Sequence, residues 1–283
     1  MPDFKIEAKR EDLAGKILIL RKGQCAANYQ DPEQPRDYDW GMGNLIAPLI
    51  KSGYISDSTS SKHDDRKLRY NHAEIKGASI EIPLGVTYWQ AYKADQSRGP
   101  EENEFLRSQG MKLFGEEYAF FARPLGITVL PITSDGSIFL GERLNAEYPN
   151  FLHGAGGFLD FRQPEMLKIY EDLIRELLEE FGIEEHSFIE APRAVGISFH
   201  AHTGETDISF LVRTRIPDKY FTSGEWEKRV REPEHKNLIR LSSISEIQEL
   251  LETGIVPDMN EKREIFYSTR CALENLRAED IRN

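Results

Sequence analysis

Apolar positions along the chain alternate between two periods. Period two marks half-buried strands and a spacing of three or four marks helices. The strand signals fall at Lys16–Arg21, at Lys67–Ile82 about a turn at Lys76-Gly77, at Ile127–Thr133 and at Ser137–Leu144. The last two flank Ser134-Asp135-Gly136, where Asp-Gly favours a tight hairpin. Phe151–Asp160, Ala194–His202, Thr206–Arg215 and Leu238–Leu241 read the same way. Helical spacing predicts elements at Asn44–Ile50, Thr87–Ala94, Glu101–Gln109, Glu165–Phe181, Ile244–Leu251 and Asn260–Arg277. Asn28–Asp39 and Asp57–Asp65 read as polar loops. Strands, a helix, more strands and then helices predict an α/β sandwich around a mixed sheet.

The longest helical pattern is the clearest. Tyr170, Leu173, Ile174, Leu177 and Phe181 form its apolar stripe, so Tyr170, Leu173, Leu177 and Phe181 should be buried against a sheet. Pro164 suits a first helical position, where a missing N–H costs nothing, and Gly182 suits the left-handed stop. On the other face Glu176, Glu179 and Glu180 lie at i, i+3 and i+4, within about 6 Å of one another at Cβ. Like charges so placed repel. A hard divalent cation such as Mg²⁺ or Mn²⁺ reverses that sign and also binds phosphate. Just upstream, His153-Gly154-Ala155-Gly156-Gly157 is a glycine-rich strand end that lets backbone approach an ion closely; a Gly156 or Gly157 carbonyl is a further oxygen ligand.

Composition narrows the partners. The 283 residues carry a formal charge of −12, which leaves no basic surplus for nucleic acid. An acidic protein that handles a polyanionic phosphate needs a cation between them. Cys25 and Cys271 are the only cysteines, so a reducing cytoplasm is expected. The first residues lack a signal-peptide core. No apolar run reaches the ~18–20 residues that span a bilayer, so neither a membrane nor a nucleic acid is an expected partner.

Arg175-Glu176-Leu177-Leu178-Glu179-Glu180-Phe181-Gly182-Ile183 resembles the second half of the Nudix box, and Gly156-Gly157 with Asp160 resembles its first half. The resemblance implies a Nudix α/β/α sandwich over residues 124–283, with a smaller α+β region at 1–123 packed on it. The break falls near Arg123–Gly126. It also implies a metal-dependent diphosphatase acting on a nucleoside diphosphate conjugate. Glu176, Glu179, Glu180 and Gly156 are then the metal ligands, with Arg175, Gly157 and Gly182 structural. The interval from Gly157 to Arg175 is longer than the family's usual one. Leu167 stands where the family has a glutamate that orients the arginine, so Asp160, Glu165 or Glu171 would take that part. Lys67–Ala73, Leu84–Trp89, Phe105–Gly110 and Arg123–Ile127 resemble, in order, the UDP-glucose and UDP-galactose diphosphatase subgroup of mammals.

Outside the box, Glu205 is a candidate catalytic base. Asp207 is likewise a candidate base or metal ligand as well as a substrate contact, His200 and His202 are candidates for phosphate or metal, and Arg143 is a candidate substrate contact. The tip around His200–Asp207 also reads as a plain polar hairpin. Tyr88, Trp89 and Tyr92 read first as core packing and second as a base-stacking set. The expected activity is release of UMP and a sugar 1-phosphate from a UDP-sugar. ADP-ribose or dinucleotide cleavage is the alternative, and a non-catalytic nucleotide sensor is the rival of another class.

Overall fold

A computed structural model describes residues 4–22, 66–144, 148–160, 169–231, 233–257, 259 and 261–281. The expected Asn44–Ile50 helix, the loops at 28–39 and 57–65, Pro164 and Leu167 lie outside them.

The chain is α/β, built on a large mixed sheet. Its strands are β1 (Phe4–Lys9), β6 (Leu125–Ile132), β7 (Ile138–Arg143), β8 (Leu152–His153), β9 (Ala155–Phe158), β10 (Arg193–His200), β11 (Thr206–Arg213) and β12 (His235–Leu241). Between β1 and β6 the chain forms a smaller sheet from β2 (Ile17–Lys22), β3 (Arg66–Tyr70), β4 (Glu74–Lys76) and β5 (Ser79–Tyr88). The large sheet runs β1-β10-β11-β6-β7-β12. Only β11 and β6 pair in parallel along that path.

The hairpin of β6 and β7 forks. Thr133-Ser134-Asp135-Gly136 turns the chain, with Gly136 at φ 80°. After the Ile132–Ile138 pair the two strands separate. The Leu152–Phe158 stretch fills the gap. β8 pairs with β7 and β9 pairs with β6, setting His153 opposite Gly141 and Gly156 opposite Thr128. The glycines thus stand inside the sheet. A Cβ on Gly156 would meet the Ile127 carbonyl oxygen at 2.1 Å. Glycine there allows a close backbone approach that any other residue would block.

Alternation along β6 sorts the two faces. Leu125, Ile127 and Val129 pack with Leu173, Leu177 and Phe181 of the Ile169–Phe181 helix. Leu130 and Ile132 point the other way, towards Ile247 and Leu250 of the Ile244–Thr253 helix and Ala272 and Leu273 of the Tyr267–Glu274 helix. Each such side chain gains roughly 1.5–3 kcal/mol from burial. Covered on both faces, the sheet is the middle layer of a sandwich.

β3 docks the smaller sheet on the larger. The Leu68 N–H donates to the Leu159 carbonyl at 2.9 Å, and the Tyr70 N–H to that of Arg123 at 2.9 Å. Leu68, Tyr70, Ile80, Ile82 and Leu84 join the core under the Ile169–Phe181 helix. The Trp89–Ser97 and Pro100–Phe114 helices follow β5.

Two expectations need correcting, and one strand is new. Tyr170 is 42% exposed and is not part of the buried stripe. The final helix is Tyr267–Glu274 rather than Asn260–Arg277, because Glu261–Lys262 pairs as a short strand with Ile255–Val256. β1 was not expected, and it forms an edge of the large sheet beside β10.

Candidate active site

The Ile169–Phe181 helix lies across the fork, so its acidic residues face the glycine strand. Gly182 stops it at φ 65°, and the Gly182 N–H returns to the Leu178 carbonyl at 3.1 Å. The Tyr220 hydroxyl donates to the carbonyls of Phe181 and Gly182 at 3.1 and 3.0 Å, securing an end whose carbonyls the helix leaves unpaired.

The three glutamates are not equivalent. Glu179 is half-buried, whereas Glu176 and Glu180 are buried. Together with buried Asp172 they form an i, i+4, i+8 acidic line beside the apolar stripe. Glu180 accepts from the Gly156 N–H at 2.9 Å, and its other oxygen meets His235 Nε2 at 2.6 Å. A Cβ on Gly157 would stand 3.0 Å from a Glu176 oxygen. Glycine at both positions therefore seats a carboxylate directly against strand backbone.

Arg175 runs along the same face. It pairs with Glu176 at 2.8 Å, Glu179 at 3.1 Å and Asp172 at 3.4 Å. Burial disfavours its charge, but Glu176, Glu179 and Asp172 outweigh that and hold the guanidinium above its ordinary range. Asp160 pairs with Lys67 of β3, not with Arg175.

A cleft of about 240 Å³ opens over this face. Glu176, Glu179, Gly156 and Gly157 line it, as do Arg143 and Asp207. Lys67 and Tyr92 come from the smaller sheet and its helix, and Phe158, Tyr148 and Phe266 add aromatic walls. Arg143 is held by a hydrogen bond to His153 Nδ1 at 3.2 Å and lies 5.0 Å over the Phe266 ring. Asp207 accepts from the Tyr267 hydroxyl.

The remaining candidates are placed differently. Glu205 is fully buried beside Tyr92 and Tyr267, and it does not line this cleft. Asp207, two positions along, is the hairpin carboxylate that reaches it. His200 and His202 line a neighbouring cavity of about 440 Å³, which shares Tyr148 with the first. His200 Nδ1 lies 3.2 Å from the Thr203 hydroxyl.

Burial shapes the charge of the cluster. Desolvation, then the charge of Glu180, pushes Glu176 up to about 9, against the pull of Arg175. Desolvation, then Glu234, pushes Glu180 up to about 8. Burial also raises Glu205 to about 8 and Asp207 to about 6, while it lowers His235 to about 4. A face of buried carboxylic acids beside half-buried Glu179 is one that a cation would deprotonate.

The carboxylates of Glu176 and Glu179, which line one cleft with Gly156 and Gly157, suit a hard cation that takes oxygen ligands. His153, Glu180 and His235 also bring ligand atoms within 4.8 Å of one another. His153 is not free to ligate. An arginine only donates, so Nδ1 accepts from Arg143 and Nε2–H is left for Thr128 Oγ1 at 3.2 Å.

Sequence reasoning passed over Lys67, His153, His235, Tyr148 and Phe266 as site residues. Tyr148, His235 and Phe266 have no local motif to mark them, while His153 and Lys67 stand at the head of stretches singled out for other reasons. Among the described residues no helix is long and apolar enough to cross a membrane.

No family model and no curated protein matches the chain. Solved structures do. A protein from Deinococcus radiodurans is similar at 15% identity over 54% of this chain and 83% of its own, with a TM-score of 0.37. A MutT protein from Methanosarcina mazei is similar at 16% over 53% and 90%, with a TM-score of 0.34. A Nudix hydrolase from Nitrosomonas europaea is similar at 20% over 44% and 75%, with a TM-score of 0.30. Likenesses this distant carry no argument about what the chain does.

Proposed function

We propose that this chain is a Nudix-type diphosphatase that hydrolyses a nucleoside diphosphate conjugate with Mg²⁺ or Mn²⁺. The observation that carries this reading is one juxtaposition. Glu176 and Glu179 face Gly156-Gly157 across a cleft whose walls hold the cations Arg143 and Lys67. Acidic floor and basic walls suit a metal-bound diphosphate.

Glu176, Glu179 and Glu180 would hold the metal, with the Gly156 carbonyl as a further oxygen. When bound, the metal supplies charge neutralisation at the phosphoryl oxygens and a more acidic water. The residues of the chain do the rest. Arg143 binds a phosphate oxygen. Asp207 accepts a proton from water, since its raised range sets it near neutral pH. Arg175 keeps the glutamates parallel, and Gly157 leaves room for Glu176. Phe158, Tyr148 and Phe266 shield the cleft and offer faces for a base. We assign Glu205 to support Asp207 from behind, and His200 and His202 to the adjoining cavity.

The first candidate substrate is a UDP-sugar, giving UMP and a sugar 1-phosphate. Its support is the ordered resemblance from Lys67 to Ile127, a stretch that supplies Lys67 and Tyr92 to the cleft. We further propose a functional division near residues 123 and 124: residues 124–283 carry the chemistry and residues 1–123 shape substrate choice. A cytoplasmic location is part of the same reading.

Turnover of UDP-glucose, ADP-ribose, NADH and a dinucleoside polyphosphate with Mg²⁺ tests it. UMP release from UDP-glucose is expected, abolished by EDTA and reduced about 10²-fold or more in Glu179→Gln. Full activity in EDTA, or no turnover of any conjugate, would sink the diphosphatase. A specificity constant about tenfold higher for ADP-ribose, worth about 1.4 kcal/mol, would move the substrate.

A further inference from the structure

We propose that Lys67 is a phosphate-binding residue that the smaller sheet lends to the cleft, exchanging Asp160 for the substrate when the cleft fills. The inference rests on the diphosphatase reading and names a residue outside its motif.

The backbone delivers Lys67. β3 pairs antiparallel with β5, and Lys67 stands opposite Thr87. The Leu68 N–H bond to the Leu159 carbonyl, 2.9 Å, fixes β3 against the end of the glycine strand. Lys67 is bridged to Asp160 by the same contact. Its side chain therefore lines the same cleft as Glu176, Glu179 and Arg175.

Of the three Lys and Arg side chains that line the cleft among the described residues, Lys67 has the weakest hold. Arg175 is tied to three carboxylates. Arg143 is tied to His153 and lies over Phe266. Among the described residues Lys67 has one ion pair, to Asp160, and the two side chains are 20% and 35% exposed. A single partly solvated pair is worth about 1 kcal/mol. A phosphate oxygen in the same cleft offers the ammonium more charge, on a stem flexible enough to follow it. The lining is otherwise acidic, through Asp160, Glu176, Glu179, Asp207 and Glu234. A second phosphate needs a movable cation there.

The test uses the full chain. UDP affinity is measured by calorimetry with Mg²⁺ for the wild type, Lys67→Ala, Lys67→Arg and Asp160→Asn, with UDP-glucose turnover and melting temperature in parallel. Lys67→Ala should weaken UDP about tenfold, and Lys67→Arg should recover part of that. Asp160→Asn frees the ammonium, so it should bind UDP at least as tightly as the wild type. A purely structural clamp predicts something else: Lys67→Ala and Asp160→Asn would lower melting alike and weaken UDP alike. That result overturns the proposal, as does Lys67→Ala binding within about twofold of wild type. If the wild type turns over UDP-glucose while Lys67→Ala matches it in UDP affinity, the inference falls and the diphosphatase stands. If UDP binds through Lys67 without turnover of any conjugate, the diphosphatase falls and the inference stands. If the wild type binds no UDP, the inference falls.

Discussion

The phosphate contact proposed above, Arg143, is a side chain held rigid by its neighbours. Its guanidinium is set by His153 below and Phe266 beside it. His153 is in turn set by Thr128, whose hydroxyl meets Ser268 at 2.6 Å. Burial, then Arg143, holds His153 well below the usual imidazole range, so the ring is neutral and its tautomer is fixed. His153→Phe keeps an aromatic ring, although a larger one, and removes the acceptor for Arg143 together with the donor to Thr128. The expected outcome is a KM for the diphosphate conjugate raised about tenfold, with kcat changed less. Steady-state kinetics with UDP-glucose check this, and unchanged KM would show that Arg143 does not depend on its neighbour.

At the scale of elements, the two glycines of the wedge make different predictions. A methyl at residue 156 would collide with strand backbone 2.1 Å away, whereas one at residue 157 meets only a carboxylate end at 3.0 Å. Gly156→Ala should cost about 2 kcal/mol or more in stability. Gly157→Ala should fold nearly as well as wild type but displace Glu176 and lose activity. Chemical denaturation beside the UMP assay separates the two, and equal stability losses would refute the distinction. Much of this element was legible. Leu173, Leu177 and Phe181 recur at helical spacing and Gly182 stops them, because those are local rules. Tyr170 fits the same spacing and is exposed, since periodicity fixes a face but not how far the sheet beneath it reaches. β1 carried a period-two signal, with Phe4, Ile6 and Ala8 apolar between Lys5, Glu7 and Lys9. Its partner β10 lies too far along the chain for any local pattern to name. His153 and His235 likewise sit on β8 and β12, and only the forked hairpin brings them near Glu180. The hairpin tip misled in the opposite way. Glu205 and Asp207 share a strand face on paper, yet only Asp207 lines the cleft.

Over the whole molecule, the buried acids set a dependence on pH. Glu205 rises from an ordinary 4.5 to about 8 on folding, mainly through burial. The folded chain therefore holds a proton that the unfolded chain releases. The stability this gives is full below about 4.5, falls as pH rises, and is gone once pH passes about 8. The slope for one such group is about 1.4 kcal/mol per pH unit. Glu205→Gln mimics the neutral acid and should flatten the profile between those limits. Thermal melts in EDTA from pH 5 to 9 read this directly. A variant as pH-sensitive as wild type would show that Glu205 is already ionised in the folded chain.

The forked hairpin also has a meaning in time. β6, β7, the wedge and the acidic helix are drawn from one run of residues, 125–181. Their pairings close over short stretches and pay little chain entropy each. The parallel seam between β6 and β11, and the edge pairing of β1 with β10, join positions far apart in sequence. Distant pairings of that kind are the slow part of assembling a sheet. The acidic face can meet its glycine strand while the sheet around it is still incomplete, so the cleft's floor belongs to the early, local part of the fold and its lysine wall to the late one.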